Sequence, residues 1–366
     1  MTTSASHSWA PSNLVVVIMA GGAGTRFWPL STEERPKQFL SLVGDRSLLQ
    51  MSYDRISNLV PPEQVLVLTN HSYRELVAAQ LSEVPKENII GEPSRKDTAA
   101  AVALAALLAE HRFGPSSTMV LLTADHVISP LENFHQALRE AVDGCQQGGL
   151  YTLGIRPTYP STGFGYLQMG KPLTGSQLPH FQVDRFKEKP SEEVAQVFLE
   201  SGNYFWNSGM FVWRTDRILE EFVRNLPAHL EALRPAINSL DSEAGYSELL
   251  AAFDKLERIS IDYAILEKAT DVRAVVPDIT WDDVGGWRAV AEYLSLDNSG
   301  NRLRGSVWSE EANHNVVFSE DPEEKVLLLG VEDLVVVRSG ARTLVAHRDR
   351  LDSLKLAVEH LTAPVN

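Results

Sequence analysis

From Leu14 to Gly154 the chain alternates short, wholly apolar runs with segments of helical periodicity, and this alternation restricts the fold more than any other feature. The first run, 14–20, has no polar residue, as expected of a strand covered on both faces. Helical patterns are expected at 48–58, 73–81, 98–112 and 133–146, with strands at 65–69, 118–123 and 150–154 between them. Strands spaced by helices in this way form βαβ units, so an α/β fold with a doubly wound, mostly parallel, Rossmann-like sheet is predicted.

From about Gly163 the texture changes to longer loops holding Gly, Pro and aromatic residues, with helices expected near 191–200 and 217–225. After Asp297 it changes again. Residues 314–319, 325–330, 334–338 and 342–347 read as strands too closely spaced to have helices between them, followed by a helix at 350–361. A small all-β unit with a closing helix is therefore expected at 297–366, after a main domain at 14–296. The boundary falls in the loop chemistry of Asp297-Asn298-Ser299-Gly300. Residues 1–13 carry no positive leader and read as a disordered tail.

Composition excludes several classes. A formal net charge of -15 disfavours binding to a polyphosphate backbone, so nucleic acid is not expected as a partner. The single cysteine, Cys145, rules out both an internal disulfide framework and a thiolate zinc cage. Apolar runs fall far short of the ~20 residues that span a bilayer, so no membrane partner is expected and the cytoplasm is the default compartment.

Directly after the first strand comes Ala20-Gly21-Gly22-Ala23-Gly24-Thr25-Arg26. Glycines here let the backbone bring N–H groups close to a phosphate. Phe27 stands where a dinucleotide fingerprint needs Gly or Ala, which argues against a Rossmann oxidoreductase, and no Gly-Lys-Ser/Thr follows, which excludes a P-loop. What remains is a loop offering amides, the Thr25 hydroxyl and two cations, Arg26 and Lys37. Asp125 follows the strand at 118–123, at the carboxyl edge where open α/β sheets bind ligands, and an exposed carboxylate there suits Mg²⁺. A helix N-cap is the plainer reading of Asp125.

These residues resemble a known family. Met19-Ala-Gly-Gly-Ala-Gly-Thr-Arg-Phe-Trp-Pro-Leu30 with Pro36-Lys-Gln-Phe-Leu40 is similar to the signature of mannose-1-phosphate guanylyltransferases. The matches continue in order through Glu92-Pro93, Asp97-Thr-Ala99, Ala124-Asp-His-Val-Ile128 and Thr162-Gly-Phe-Gly-Tyr166. Phe186-Lys-Glu-Lys-Pro190, Trp206-Asn-Ser-Gly-Met-Phe211, Ser260-Ile-Asp-Tyr263 and Trp281-Asp-Asp-Val-Gly285 complete the series. Three positions depart from the pattern: Thr123 replaces a usual Pro, Arg95-Lys96 interrupts the Glu-Pro segment, and a late strand reads Val337-Arg338-Ser339.

The resemblance implies transfer of GMP from GTP to mannose 1-phosphate, giving GDP-mannose and pyrophosphate, with Mg²⁺ held by Asp125 and Asp283. Asp282 and Asp283 are hard to separate on sequence alone. Nucleotide contacts fall to Ala20, Gly21, Gly22, Gly24, Thr25, Arg26, Lys37, Glu92, Thr98 and Asp125. Sugar phosphate contacts fall to Gly165, Glu188, Lys189, Asn207 and Asp283. The late strands resemble that family's short left-handed β-helix-like unit, which implies a homodimer, and the chain looks too short for the isomerase domain of bifunctional relatives. Two alternatives remain open: a guanylyltransferase for a heptose or glucose 1-phosphate, and a silent subunit that binds GDP-sugar.

Overall fold

The structure, a computed structural model, describes residues 9–22, 25–240, 242 and 245–362, with the side chains of Thr25 and Thr362 left out. Residues 1–8 of the expected tail therefore lie outside it. Asn13 is pinned where its side chain donates to Ser116 O at 2.8 Å. The chain packs as two compact units. One holds the residues up to Gly21 with Ser52–Ala124 and Ile128–Trp281. The other holds Gly22–Met51, Asp125–Val127 and the residues from Asp282 onward.

The first unit is built on strands β1 (Leu14–Ala20), β2 (Val65–Asn70), β3 (Ile89–Glu92) and β4 (Thr118–Thr123). After the short β5 (Val127–Ser129) come β6 (Leu150–Ile155), β7 (Tyr166–Leu173), β8 (His180–Lys187), β9 (Tyr204–Arg214) and β10 (Val272–Val275). All but β5 form one sheet in the order β3-β2-β1-β4-β9-β6-β10-β8-β7. β1 to β4, β6, β7 and β10 run one way, and only β8 and β9 run against them. The mostly parallel α/β reading holds.

The sheet goes further than the loops expected after Gly163. β7 and β8 follow β10 in the sheet, their sequences mix polar with apolar residues, and the start of β7 also pairs with β9, Tyr166 opposite Trp206. β9 passes through its middle, pairing Leu121 with Phe211 and Met119 with Trp213. Phe211 and Trp213 are buried, as core residues. The helix Thr98–Phe113 is buried without a break from Ala99 to Ala109. Its alanines let it lie close against the helices Thr215–Asn225 and Pro227–Ile237.

In the second unit, after the short β11 (Thr280–Asp282), the strands are β12 (Ser295–Leu296), β13 (Arg302–Arg304), β14 (Ser306–Glu310) and β15 (Val316–Ser319). They continue with β16 (Lys325–Leu329), β17 (Leu334–Ser339) and β18 (Arg342–His347). Successive strands alternate between two sheets, with β13, β15 and β17 parallel in one and β14 and β16 parallel in the other. This is the wrapping of a short β-helix. A buried asparagine ladder joins its coils. Asn315 Nδ2 donates to Asn301 Oδ1 at 3.0 Å and to Val331 O at 3.1 Å, and its Oδ1 accepts from Leu334 N at 2.9 Å. The chain closes with a 3-10 turn at Arg348–Ser353, begun by the His347 ring accepting from Asp349 N, and the α-helix Leu354–Thr362.

Residues 22–51 pack with this β unit although they follow β1 in sequence. Phe27 and Phe318 both lie against Trp287, at centroid distances of 5.6 and 5.3 Å, and Trp287 Nε1 donates to Trp28 O at 3.1 Å. Leu30, Leu40, Val316, Val335 and Val337 complete that core. Phe27, which argued against a dinucleotide loop, is thus a core residue.

The ladder yields a test. Replacing Asn315 by Ala takes the side-chain acceptor from Leu334 N–H and the amide donor from Asn301 Oδ1 and Val331 O, although Val331 O keeps the Asn313 amide at 3.1 Å. Chemical denaturation of the Asn315→Ala variant is expected to show a loss of about 2–4 kcal/mol.

Candidate functional site

In the second unit the charged residues gather around Lys37. The short turn Lys37–Phe39 buries all three of its residues, so the ammonium reaches its partners from a fixed base. Lys37 Nζ donates to Asp125 Oδ2 at 2.9 Å and to the Asp283 carbonyl at 2.5 Å. The neighbouring His126 Nε2 lies 3.7 Å from Asp125 Oδ1. Burial alone would raise the Asp125 carboxyl, but Lys37 and His126 more than offset it and hold the group below the ordinary range. Asp125 sits in a turn before β5 and caps no helix.

Asp283 moves the other way. Burial, with Asp282 and Asp125 nearby, pushes its carboxyl above the ordinary range against the pull of Lys37 and Arg26. Asp282 is separated from it by its bonding: Oδ1 accepts from Val284 N at 2.7 Å and Oδ2 from Tyr293 OH at 2.9 Å. No hydrogen bond to the Asp283 carboxylate is made among the described residues. A Cβ at Gly285 would stand 3.3 Å from the Asp283 oxygens and 3.7 Å from the Arg26 guanidinium, so a glycine keeps that approach open.

The remaining loop residues are placed unevenly. Ala20 ends β1, its carbonyl accepting from Thr69 Oγ1 at 3.0 Å, and Gly21 and Gly22 are exposed. Gly24 and the Thr25 side chain lie outside the described residues. Gln38 Nε2 donates to Gly22 O at 3.3 Å.

In the first unit, Glu92 ends β3 and burial pushes its carboxyl up to about 8. A Cβ at Gly21 would meet its Oε2 at 3.7 Å, so the carboxyl lies beside the loop backbone. Thr98 Oγ1 accepts from Ile261 N at 2.8 Å, which leaves its O–H free to donate.

Gly165, Glu188, Lys189 and Asn207 come together. A Cβ at Gly165 would lie only 2.5 Å from Glu188 Oε2 and 3.1 Å from the Phe186 ring, so a larger residue there would push the Glu188 carboxylate aside. Lys189 Nζ donates to Glu188 Oε1 at 2.5 Å, and Asn207 N donates to Gly165 O at 2.8 Å. One member was not assigned a role from sequence. Asp262 Oδ1 accepts from Asn207 Nδ2 at 3.1 Å, and burial next to Glu188 pushes its carboxyl up to about 7. Its only sequence signal was the Ser260-Ile-Asp-Tyr263 stretch, because a lone Asp in a helical turn otherwise reads as surface.

Among the described residues no group of three His, Cys, Asp or Glu could hold a metal, and no helix is long and apolar enough to cross a membrane. Cys145 is buried and its thiol is pushed up to about 12 by that burial, so it is inert.

Comparison with known proteins identifies the family. Residues 15–299 match the family described as nucleotidyl transferase. A mannose-1-phosphate guanylyltransferase of Klebsiella pneumoniae is 42% identical over 95% of this chain and 74% of its own length. One of Escherichia coli K12 is 40% identical over 97% of this chain and 74% of its own. A crystal structure named for a mannose-1-phosphate geranyltransferase from Thermus thermophilus matches with a TM-score of 0.83 and 34% identity, covering 96% of this chain and 100% of that one. With its glycine loop, its paired aspartates around one lysine and this degree of identity, the chain belongs to the nucleotidyl transferase family and, within it, to the mannose-1-phosphate guanylyltransferases.

Proposed function

We infer that this protein transfers GMP from GTP to α-D-mannose 1-phosphate, releasing pyrophosphate and GDP-mannose. The observation that carries the reading is the Lys37 ammonium set against Asp125 and Asp283. A sugar phosphate oxygen attacks the α-phosphorus, and the bond from that phosphorus to the β-phosphate oxygen breaks. The nucleophile is already an anion, since a phosphate monoester's second pKa is about 6, so no general base is needed. The difficulty is bringing one polyanion onto another, and the work is charge neutralisation and positioning.

Lys37 and Arg26 meet the triphosphate, together with backbone N–H groups of Gly21, Gly22, Gly24 and Thr25. Mg²⁺ suits Asp125 and Asp283. Both are hard oxygen donors, and burial, with Asp282 and Asp125 nearby, raises Asp283, a carboxylate that a cation would suit. When bound, the ion withdraws charge from the phosphate oxygens. Glu92 accepts from the guanine, while Gly165, Glu188, Lys189 and Asn207 receive the sugar phosphate. A heptose or glucose 1-phosphate in place of the mannose ester, or a silent subunit, is the competing reading. The silent subunit fits poorly with an intact Arg26, Lys37, Asp125 and Asp283. A cytoplasmic setting belongs to the same inference, since its one cysteine is buried and unpaired.

The homodimer is assigned to the β14–β16 face. There Trp308 lies opposite Leu327, and they are 70% and 63% exposed. Leu329 extends the patch, and Lys325 and Glu310 stand at opposite ends of the strand pair, so the face complements itself under a two-fold axis.

Pyrophosphate release from a panel of nucleoside triphosphates and sugar 1-phosphates tests the reading. Release is expected only with GTP and mannose 1-phosphate, lost on chelation and restored by Mg²⁺; release with another pair overturns the substrate assignment. Lys37→Ala is expected to lower kcat by about 10²- to 10³-fold while the thermal transition is retained. Light scattering should find Trp308→Glu monomeric where the parent is a dimer.

Glu92 gives a pH test. Its folded value of about 8 lies above the ordinary glutamate value, so the folded state holds the proton more tightly. Stability is then greatest at acid pH and falls as pH rises to about 8, by at most about 1.4 kcal/mol per pH unit. Denaturation of Glu92→Gln without ligand should show this decline flattened.

A further inference from the structure

The stretch 256–262 lies along residues 96–99 and is fastened to it at four points. Lys96 Nζ donates to Leu256 O at 2.9 Å, Ile259 N to Lys96 O at 3.3 Å, Ala99 N to Ile259 O at 3.2 Å, and Ile261 N to Thr98 Oγ1 at 2.8 Å. The last of these bonds falls one residue before Asp262. On its other side Asp262 meets Asn207. Asn207 Oδ1 accepts from Gly209 N at 3.4 Å and lies 2.9 Å from Thr152 Oγ1, and Nδ2 donates to Asp262 Oδ1 at 3.1 Å.

The chemistry around Asp262 is unbalanced. Glu188 and Asp262 lie close enough to repel, and the one cation near both, Lys189, is mostly exposed and bonded to Glu188. Two ionised carboxylates offer about eight acceptor sites, and Asn207 Nδ2, Ser260, the Asp262 amide and Lys189 fill part of them. Gly165 keeps the space over Glu188 clear of any side chain. A ligand carrying several hydroxyl donors in a fixed arrangement would satisfy the cluster.

We propose that Asp262 is a specificity-determining residue that reads the hydroxyls of the sugar phosphate, and that Thr98 is a positioning residue that holds it through Ile261. This rests on the nucleotidyl transfer inferred above and reassigns Thr98, expected at the nucleotide, to the sugar side. Asp262 takes hydroxyl donors directly. The Thr98 hydroxyl sets where it stands.

Steady-state kinetics and calorimetric binding of mannose 1-phosphate and glucose 1-phosphate provide the test. Asp262→Asn should raise KM for mannose 1-phosphate by about 10- to 100-fold, leave KM for GTP within about twofold, and shrink the preference for mannose over glucose. Thr98→Val, of the same shape but lacking the acceptor, should move the sugar KM in the same direction by a smaller factor, and Thr98→Ser should restore it. An unchanged sugar preference in Asp262→Asn overturns the role of Asp262. A rise in the GTP KM alone in Thr98→Val overturns that of Thr98. Should the parent protein turn over neither pair, the transfer reading fails instead. Asp262 is then judged by calorimetry, where binding with no sugar preference to lose counts against it.

Discussion

The ammonium of Lys37 is the contact on which the candidate cluster depends. It joins stretches of chain 88 and 246 residues away, Asp125 through its carboxylate and Asp283 through its main chain. Two aspartates brought together in a partly buried place would repel each other, and their opposite displacements show how the lysine divides its influence. Asp125, which it touches directly, is held below the ordinary range; Asp283, whose backbone it touches, is raised by burial despite the lysine. A site so arranged gains from receiving further cations and from an anion that takes the lysine, which is the demand a nucleoside triphosphate with its metal makes.

The cluster is steadied by a hydrophobic core that reaches it from an unexpected direction. Phe27, Trp287 and Phe318 come from the glycine loop, the segment after Asp283 and the β-helix, and they pack edge to face. Arg304 adds bonds to the carbonyls of Ser41 and Gly44 at 2.8 and 3.1 Å and lies over Phe318. The C-terminal coils are therefore more than an appendage: the residues that carry Arg26 and Lys37 share their interior.

Much of this was legible in the sequence, and the remainder was hidden for physical reasons. β1 and β4 announce themselves because a strand buried on both faces is apolar throughout, and the glycines after β1 mark the turn. Lys37 and Asp125 stood where loop and strand-edge chemistry marked them as candidates, and Asp283 came from the family resemblance. The pairing of β9 between β4 and β6 left no local trace, since sheet partners are chosen by packing across long separations. Nor could the sequence separate Asp282 from Asp283; that distinction lies in Tyr293 OH and Val284 N, which occupy the first and not the second. Nor did spacing reveal that Thr98 Oγ1 accepts from Ile261 N, a bond across 163 residues of sequence.

The asparagine ladder has a consequence for how such a chain can change over time. Each coil of the β-helix is bonded to the one before it through a buried amide, Asn301 to Asn315 and Asn315 to Leu334, so the stack grows by nearest-neighbour steps. Adding or deleting one coil disturbs only the rungs on either side. The C-terminal portion is thus a place where length can drift between lineages, and where another module can be spliced on, while the lysine and its aspartates stay as they are.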